Sequence, residues 1–442
     1  MNNIADLQIE KEILPLFDFT HNDFSKGTLN KLLQEPLTSI SDILTRQDIL
    51  KGFIANHNNL KEYNYSRVDF YEVHKFLLDT SIQNYKKGIK LKLLISEKER
   101  HQTRAKYIQF VVLFQRIHSF YIKRLDTSCF PDEYKKELHS LNDSLTSFNL
   151  GYYDELIRED KFKAKNILDL SKLISSHQEN RRLELFYKKF FLFEAYISIS
   201  RCIYQNKFCF PSLSDSNIFF ESLYHPLLKN PVNNSFSSQQ NVILLTGPNM
   251  SGKSTFLKSV GLAVYLAHVG VGVPATKAEL PLFDNISISI NHNDDILSGY
   301  SHFMTEIIRL KQVLIEASIN KKCFAIFDEL FKGTNIEDAV QISSTTINGF
   351  TKFNNSFFLI STHLYQLKEI EKVKSKQVET YYLDCEIKAG MPIFKYVVRK
   401  GWSDLKVGQL LFEKEGLNKL LQADSANEHA YNMGIYNIGA ED

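Results

Sequence analysis

The chain has 442 residues and a net charge of only +2, with 43% hydrophobic and 24% charged residues. This length allows two or three domains with buried cores, and the composition is typical of a globular protein. The sequence contains neither a membrane-span-like apolar run nor a signal-peptide pattern, and its five cysteines are scattered, so we expect a cytoplasmic protein without disulfides, zinc or membrane contact.

The first half of the chain favours long helices. Glycine and proline are rare, and apolar residues recur at helical spacing, as in RRLELFYKKFFLFEAYISISRCIY at 181–204. Pro131 within LDTSCFPDEY, at 125–134, predicts a break between two helices. We therefore predict an all-helical domain over residues 1–205.

One segment of this half is strongly basic. Residues 81–124 carry eleven Lys and Arg side chains against two acidic ones. Such a stripe suits the phosphates of a nucleic acid. It is also typical of a solvated helix face, which charge alone favours.

The pattern changes near residue 206, where short apolar runs begin to alternate with helical patterns. Helical spacing recurs at 254–268 and 303–319, between four runs that indicate buried strands: NVILLT (241–246), ISISI (286–290), CFAIF (323–327) and FFLIS (357–361). This alternation predicts an α/β domain with a largely parallel sheet over 206–422. The polar residues 423–442 are expected to form a flexible tail.

The run TGPNMSGKST, at 246–255, matches the phosphate-loop pattern G-x-x-x-x-G-K-[ST]. A predicted strand precedes it and a predicted helix follows it, as that motif requires. The glycines would turn backbone N–H groups inward, and the helix N-terminus adds a partial positive charge. We expect Lys253 to reach the β- and γ-phosphates and Ser254 to ligate Mg²⁺. The predicted nucleotide-binding residues are Gly247, Pro248, Asn249, Met250, Ser251, Gly252, Lys253, Ser254 and Thr255.

Two further motifs follow predicted strands. Asp328 and Glu329 end the run CFAIFDE, and His363 lies in FFLISTHLYQL. Asp328 is placed to hold Mg²⁺, Glu329 to act as the base for the attacking water, and His363 to contact the γ-phosphate or that water. A lone acidic pair or histidine is often a solvated strand end, but all three motifs together indicate an ATPase domain of the ABC type.

These motifs closely resemble those of the MutS family of DNA mismatch-repair ATPases, in which Pro-Asn-Met inside the phosphate loop is characteristic. Other segments match in order and spacing, although Tyr224 stands before His225 where the family usually has arginine. They are ESLYHPLL (221–228), GVGVPATKAEL (270–280), NDDILSGYSHFMTEI (293–307), DELFKGTNIEDA (328–339) and STHLYQL (361–367).

The helical half resembles the start of the MutS core domain over residues 16–53. On this alignment, we expect the mismatch-recognition and connector domains to have no counterpart here, and the DNA-embracing clamp to be reduced or absent. The resemblance implies a lever-like helical domain joined to the ATPase.

The resemblance also implies a homodimer in which two ATPase domains share two nucleotides. Ser301 would then reach the γ-phosphate bound by the partner's Lys253 and act in catalysis, and Asn249 would contact phosphate or the partner interface. Adenine specificity is implied in the same way. An aromatic stacking residue is not evident, because Pro231 stands near its position in NPVNNSF.

Two functions remain open at this stage. The first is a MutS-like ATPase that couples Mg²⁺-dependent ATP hydrolysis to DNA. The second is an ATP-gated dimeric module that binds a protein or ribonucleoprotein partner. A weakly hydrolysing structural dimer is a third reading, against which Asp328, Glu329 and His363 count.

Overall fold

A computed structural model of the chain describes residues 3–78, 97–214, 217–290, 302–388, 390–405 and 407–422. Most of its described first half is helical, as the sequence predicts. The helices are α1 (Leu14–Phe17), α2 (Asp23–Gln34), α3 (Ile40–Ala55), α4 (His57–Leu60), α5 (Arg67–Leu78), α6 (Glu97–Ile117), α7 (Asp132–Thr146), α8 (Leu150–Arg158), α9 (Ala164–Glu179) and α10 (Arg182–Asn206).

Local signals account for several helix ends. The side chain of Asn22 accepts a hydrogen bond from the Ser25 amide at the start of α2, and Ser39 caps α3 in the same way. The break predicted around Pro131 is confirmed, because a short 3₁₀ turn at Thr127–Cys129 separates α6 from α7. Residues 81–96 of the basic segment lie outside the described residues, and so does the predicted tail at 423–442.

A buried carboxylate ties α10 to α2. Glu194 accepts hydrogen bonds from the side chains of Asn22, Ser25 and Tyr65 and from the His21 amide. Burial raises the pKa of Glu194, although these hydrogen bonds oppose the rise. Because each partner is itself mostly enclosed, this network specifies how the two helices pack.

The second half contains strands and helices in alternation. The strands are β1 (Ser212–Leu213), β2 (Ile218–Leu223), β3 (Asn234–Ser238), β4 (Val242–Thr246), β5 (Lys277–Leu280), β6 (Asn285–Ser289), β7 (Cys323–Phe327), β8 (Phe357–Ser361), β9 (Glu379–Lys388) and β10 (Met391–Lys400). The helices are α11 (Lys253–Val269), α12 (His302–Ser318), α13 (Ile336–Phe350), α14 (Glu371–Lys374), α15 (Gly408–Lys414) and α16 (Leu417–Gln422).

Within the described ranges these strands form two sheets. The larger has the order β10-β9-β4-β8-β7-β6, and every neighbouring pair is parallel except β9 and β10. The smaller has the order β1-β5-β2-β3. The largely parallel sheet is therefore confirmed, whereas the smaller sheet and the β9–β10 hairpin lack the continuous apolar runs that indicated the other strands.

The helix that follows the phosphate loop is fastened to the helical half. Near the C-terminal end of α11, the Tyr265 hydroxyl donates to the Leu33 carbonyl and the Leu37 amide donates to the His268 carbonyl. The Arg46 guanidinium donates to the Val269 carbonyl at 2.6 Å. Residues of both halves belong to one hydrophobic cluster, so α11 connects the loop directly to α2 and α3. None of the helices in the described ranges has the length and apolar character needed to cross a membrane.

Candidate nucleotide-binding site

The phosphate loop, residues 247–252, links β4 to α11 through an unusual backbone. Gly247, Met250 and Gly252 have φ values of 142°, 66° and 94°. A Cβ at Gly252 would lie 3.1 Å from the Tyr396 ring, so that position combines a left-handed backbone with close packing. Met250 adopts the same region at an energetic cost and is 71% exposed. In the described part of the chain, the buried Ser251 hydroxyl has no hydrogen-bond partner.

The Lys253 ammonium lies inside the curve of this loop. Its Nζ donates to the Gly247 carbonyl at 2.9 Å and the Pro248 carbonyl at 3.3 Å, and lies 3.7 Å from Glu329 Oε1. Burial lowers the pKa of Lys253, while Glu329 and Asp328 oppose that change. These contacts hold a cation where a polyphosphate would approach the helix N-terminus.

Asp328 lies at the carboxyl end of β7 and faces the start of α11. The Ser254 hydroxyl donates to Asp328 Oδ2 at 2.5 Å, and the Ser361 hydroxyl donates to Oδ1. A hydroxyl and a carboxylate are hard oxygen ligands of the kind that Mg²⁺ prefers. The donor set of Ser254 and Asp328 therefore fits the predicted metal.

Glu329 occupies a strained turn directly after Asp328. Its φ is 55°, and its amide donates to the Ser361 hydroxyl at 3.0 Å. Glu329 Oε2 forms an ion pair with Lys332 at 2.7 Å. Burial alone would raise the pKa of Glu329, but Lys332 and Lys253 hold it below its ordinary value. The carboxylate therefore remains ionised, as a base must be.

These groups line one cavity of about 590 Å³. It brings together Lys253, Ser254, Asp328 and Glu329, with Asn249, Met250 and Gly252 from the loop and Thr255 from the start of α11. His363 is exposed and borders a neighbouring cavity of about 290 Å³, together with Gly247, Pro248 and Asn249. Ser301 lies outside the described residues.

The structure adds Tyr396, which the sequence analysis missed. Tyr396 borders the phosphate-loop cavity. It also borders a third cavity, separate from the one beside His363, which has a volume of about 290 Å³ and is lined by His225, Val232 and Phe256. A register shift in β10 between Phe394 and Val398 accompanies this placement, and Tyr396 has a φ of 56°.

Asn234 holds this irregular part of β10 in place. Its side chain donates to the Tyr396 carbonyl at 3.0 Å and accepts from the Val398 amide at 2.7 Å. A run such as FKYVVRK carries no local signal for a bulge, because the irregularity depends on Asn234, which is 162 residues away from Tyr396.

Comparison with known proteins finds similarity to MutS proteins. Residues 243–429 match the family model described as MutS domain V. The DNA mismatch repair protein MutS of Listeria innocua is 28% identical over 346 residues, covering 74% of this chain and 39% of that protein. The chain is therefore similar to MutS proteins over most of its length, and its residues 243–429 match their domain V.

Other MutS proteins match more narrowly. Those of Lysinibacillus sphaericus and Bacillus subtilis are 32% and 33% identical, over 42% and 40% of this chain and 22% and 20% of their own lengths. The family resemblance predicted from the phosphate loop is confirmed, and so is a helical region followed by an ABC-type ATPase fold. The chain spans about 39% of the length of the Listeria relative.

Proposed function

We propose that this chain binds ATP with Mg²⁺ and hydrolyses it. The observation that carries the proposal is the contact between Ser254 and Asp328, which joins the start of the phosphate-loop helix to the end of β7. Lys253 and Glu329 lie in the same cavity, so a cation for the phosphates and a base for water adjoin one pair of metal-binding groups.

Each side chain has a defined task in this proposal. Backbone N–H groups of the loop and the Lys253 ammonium bind the β- and γ-phosphates. Ser254 and Asp328 hold Mg²⁺, which neutralises developing charge on the phosphate oxygens when it is bound. Glu329, kept ionised by Lys332, accepts a proton from the attacking water. The exposed His363 contacts the γ-phosphate or that water.

The cavity beside Tyr396 is assigned to the nucleoside. It adjoins the phosphate loop at Gly252 and Thr255, and its walls are largely apolar. An aromatic ring with one exposed face suits stacking against a base. Tyr396 thus supplies the aromatic stacking surface that is missing near Pro231, where the family resemblance places it.

The proposed active form is a homodimer in which Ser301 of each chain completes the site of the other. This part rests on the family resemblance. Mixing Lys253→Ala chains with Ser301→Ala chains tests it, because only the mixed dimer has one site with both residues intact. Activity that appears in the mixture but in neither variant alone supports action in trans, and an inactive mixture that still dimerises overturns it.

ATP turnover is proposed to act on DNA through the helical half. The contacts of Tyr265, His268 and Val269 with α2 and α3 support mechanical transmission from the loop helix to that half. The relatives are named DNA mismatch repair proteins, which favours DNA as the partner. A steep fall of DNA binding with salt is expected if the basic segment neutralises several phosphates. Absence of DNA binding at low salt, with and without ATP, favours a protein or ribonucleoprotein partner.

Nucleotide binding and turnover test the central proposal. Wild-type protein should bind ATP, and it should release phosphate from ATP only when Mg²⁺ is present. Lys253→Ala should lose nucleotide binding, whereas Lys311→Ala, which removes an exposed lysine from α12, should behave as wild type. Unchanged ATP affinity in Lys253→Ala would overturn the assignment of the phosphate loop.

A further inference from the structure

The turn that carries the proposed base is strained at two non-glycine residues. Glu329 and Phe331 have φ values of 55° and 63°, in the left-handed region that large side chains rarely adopt. Such a backbone conformation is strained in a non-glycine residue and persists only where neighbouring structure enforces it. The contacts that enforce this turn therefore determine where the Glu329 carboxylate lies.

Helix α12 supplies those contacts. Glu306 Oε2 accepts a hydrogen bond from the Phe331 amide at 3.0 Å. The Phe303 ring meets the buried Phe331 ring edge-on, with centroids 6.1 Å apart. A Cβ at Gly333 would lie 3.1 Å from Phe303 Cβ, so the first two turns of α12 pack tightly against the turn.

We infer that Glu306 is a positioning residue for ATP hydrolysis, because it holds the Phe331 amide and with it the left-handed turn that aims Glu329. The inference rests on the proposed hydrolysis by Glu329. Without the carboxylate, the Phe331 amide loses its acceptor, and the turn loses the only side-chain hydrogen bond that the described residues show at that amide. The backbone can then relax toward ordinary φ values and carry Glu329 away from its water.

The hydrogen bond between the Phe331 amide and the Glu306 carboxylate depends on pH, and the charged groups around Glu306 influence that dependence. Arg309 on the same helix and Lys332 on the turn both favour the ionised form, and Lys332 is itself paired with Glu329. Arg309 also lies 3.7 Å from Asp6 Oδ2, so its charge is partly offset. Burial outweighs these groups and raises the pKa of Glu306 to about 7. An ionised acceptor forms the stronger hydrogen bond, so the turn is held more firmly above that pH.

Steady-state kinetics separate positioning from binding. Glu306→Ala should lower kcat for ATP by tenfold or more while the ATP dissociation constant changes less than twofold. Glu306→Gln keeps an acceptor for the Phe331 amide and should retain more activity than the alanine variant. Glu316→Gln, the same change in a half-buried residue of the same helix that pairs with Lys321, should match wild type and serves as the control.

The pH profile supplies a readout that a merely structural role would not move. The ratio of wild-type kcat to Glu306→Gln kcat should rise between pH 6 and pH 8, while the ratio to Glu316→Gln stays flat. An unchanged kcat in Glu306→Ala, or a flat ratio for Glu306→Gln, overturns the positioning role although ATP hydrolysis stands. Absence of hydrolysis by wild-type protein overturns the proposed function and, with it, this inference. Retained ATP binding in each variant excludes misfolding as the cause.

Discussion

The Ser254 hydroxyl lies 2.5 Å from Asp328 Oδ2, although 74 residues separate the two along the chain. Sheet order explains the contact. Strand β8 lies between β4 and β7, all three are parallel, and their carboxyl ends therefore meet at one edge. Ser361 at the end of β8 bonds both Asp328 and the Glu329 amide, and so links the two motifs.

Asp328→Asn should remove most of the benefit of Mg²⁺ to nucleotide binding. The amide keeps the shape of the side chain but lacks the charge that a divalent cation favours. ATP affinity in Mg²⁺ should fall about tenfold, equivalent to about 1.4 kcal/mol, while affinity in EDTA stays unchanged. Titrations in both buffers measure this, with the exposed Asp48→Asn as control. Equal Mg²⁺ enhancement in wild type and variant would exclude Asp328 as a ligand.

Glu329→Ala should slow ATP hydrolysis by about 10²–10⁴-fold without weakening ATP binding, as expected for loss of a general base. Uncleaved ATP should then accumulate in the shared sites and stabilise the closed dimer. Light scattering with and without ATP measures the mass. A variant that binds ATP yet stays monomeric would contradict the shared-site proposal.

Tyr396→Ala should weaken ATP binding by roughly tenfold, because the proposed nucleoside cavity loses the ring against which the base would stack. Tyr396→Phe keeps the ring and should bind ATP within about twofold of wild type. Titration with ATP and with inorganic triphosphate separates the two parts of the ligand. If Tyr396→Ala weakens the binding of ATP and of inorganic triphosphate equally, the ring supports the phosphate loop by packing against Gly252 and does not contact the base.

Gly270→Ala should destabilise the protein by about 1–2 kcal/mol, since its φ is 79° and a Cβ would meet Arg46 and Leu37 at 3.3 Å. Gly349→Ala provides the matched control. Gly349 lies within α13, and a Cβ there meets nothing within 4 Å. Gly349→Ala should stabilise the folded protein by about 0.5–1 kcal/mol. Urea denaturation measures the free energy of unfolding of both variants. Equal changes would refute the conclusion that the C-terminal end of α11 packs closely against Arg46 and Leu37.

Stability should depend on pH through Glu306. Burial raises its pKa from 4.5 to about 7, so the folded state holds a proton that the unfolded state releases between these values. The free energy of unfolding that depends on protonated Glu306 is fully present below pH 4.5 and is lost as pH rises through 7. Relative to wild type, Glu306→Gln should therefore gain about 2 kcal/mol between pH 5 and pH 8. Denaturation curves at both pH values test this, and a pH-independent difference would contradict the raised pKa.

Local sequence was sufficient for the elements that carry the site. The apolar runs ending at Thr246, Phe327 and Ser361 are buried strands, because a strand covered on both faces needs a continuous apolar run. The residues after them, with Pro-Asn-Met in the loop, also indicated the resemblance to the MutS family. Glycine, lysine and carboxylate spacing within one loop or strand end is a local property, and the sequence displays it directly.

Other features depended on contacts between distant segments. Tyr396 enters the site through a bulge held by Asn234, and Glu306 reaches the turn of Glu329 from another helix. Arg46 fastens α11 across 223 residues of sequence. The sequence by itself determined which chemical groups are present and which strands carry them. Only the tertiary structure decided which of those groups meet, because register, bulges and helix packing follow from the energy of the whole core.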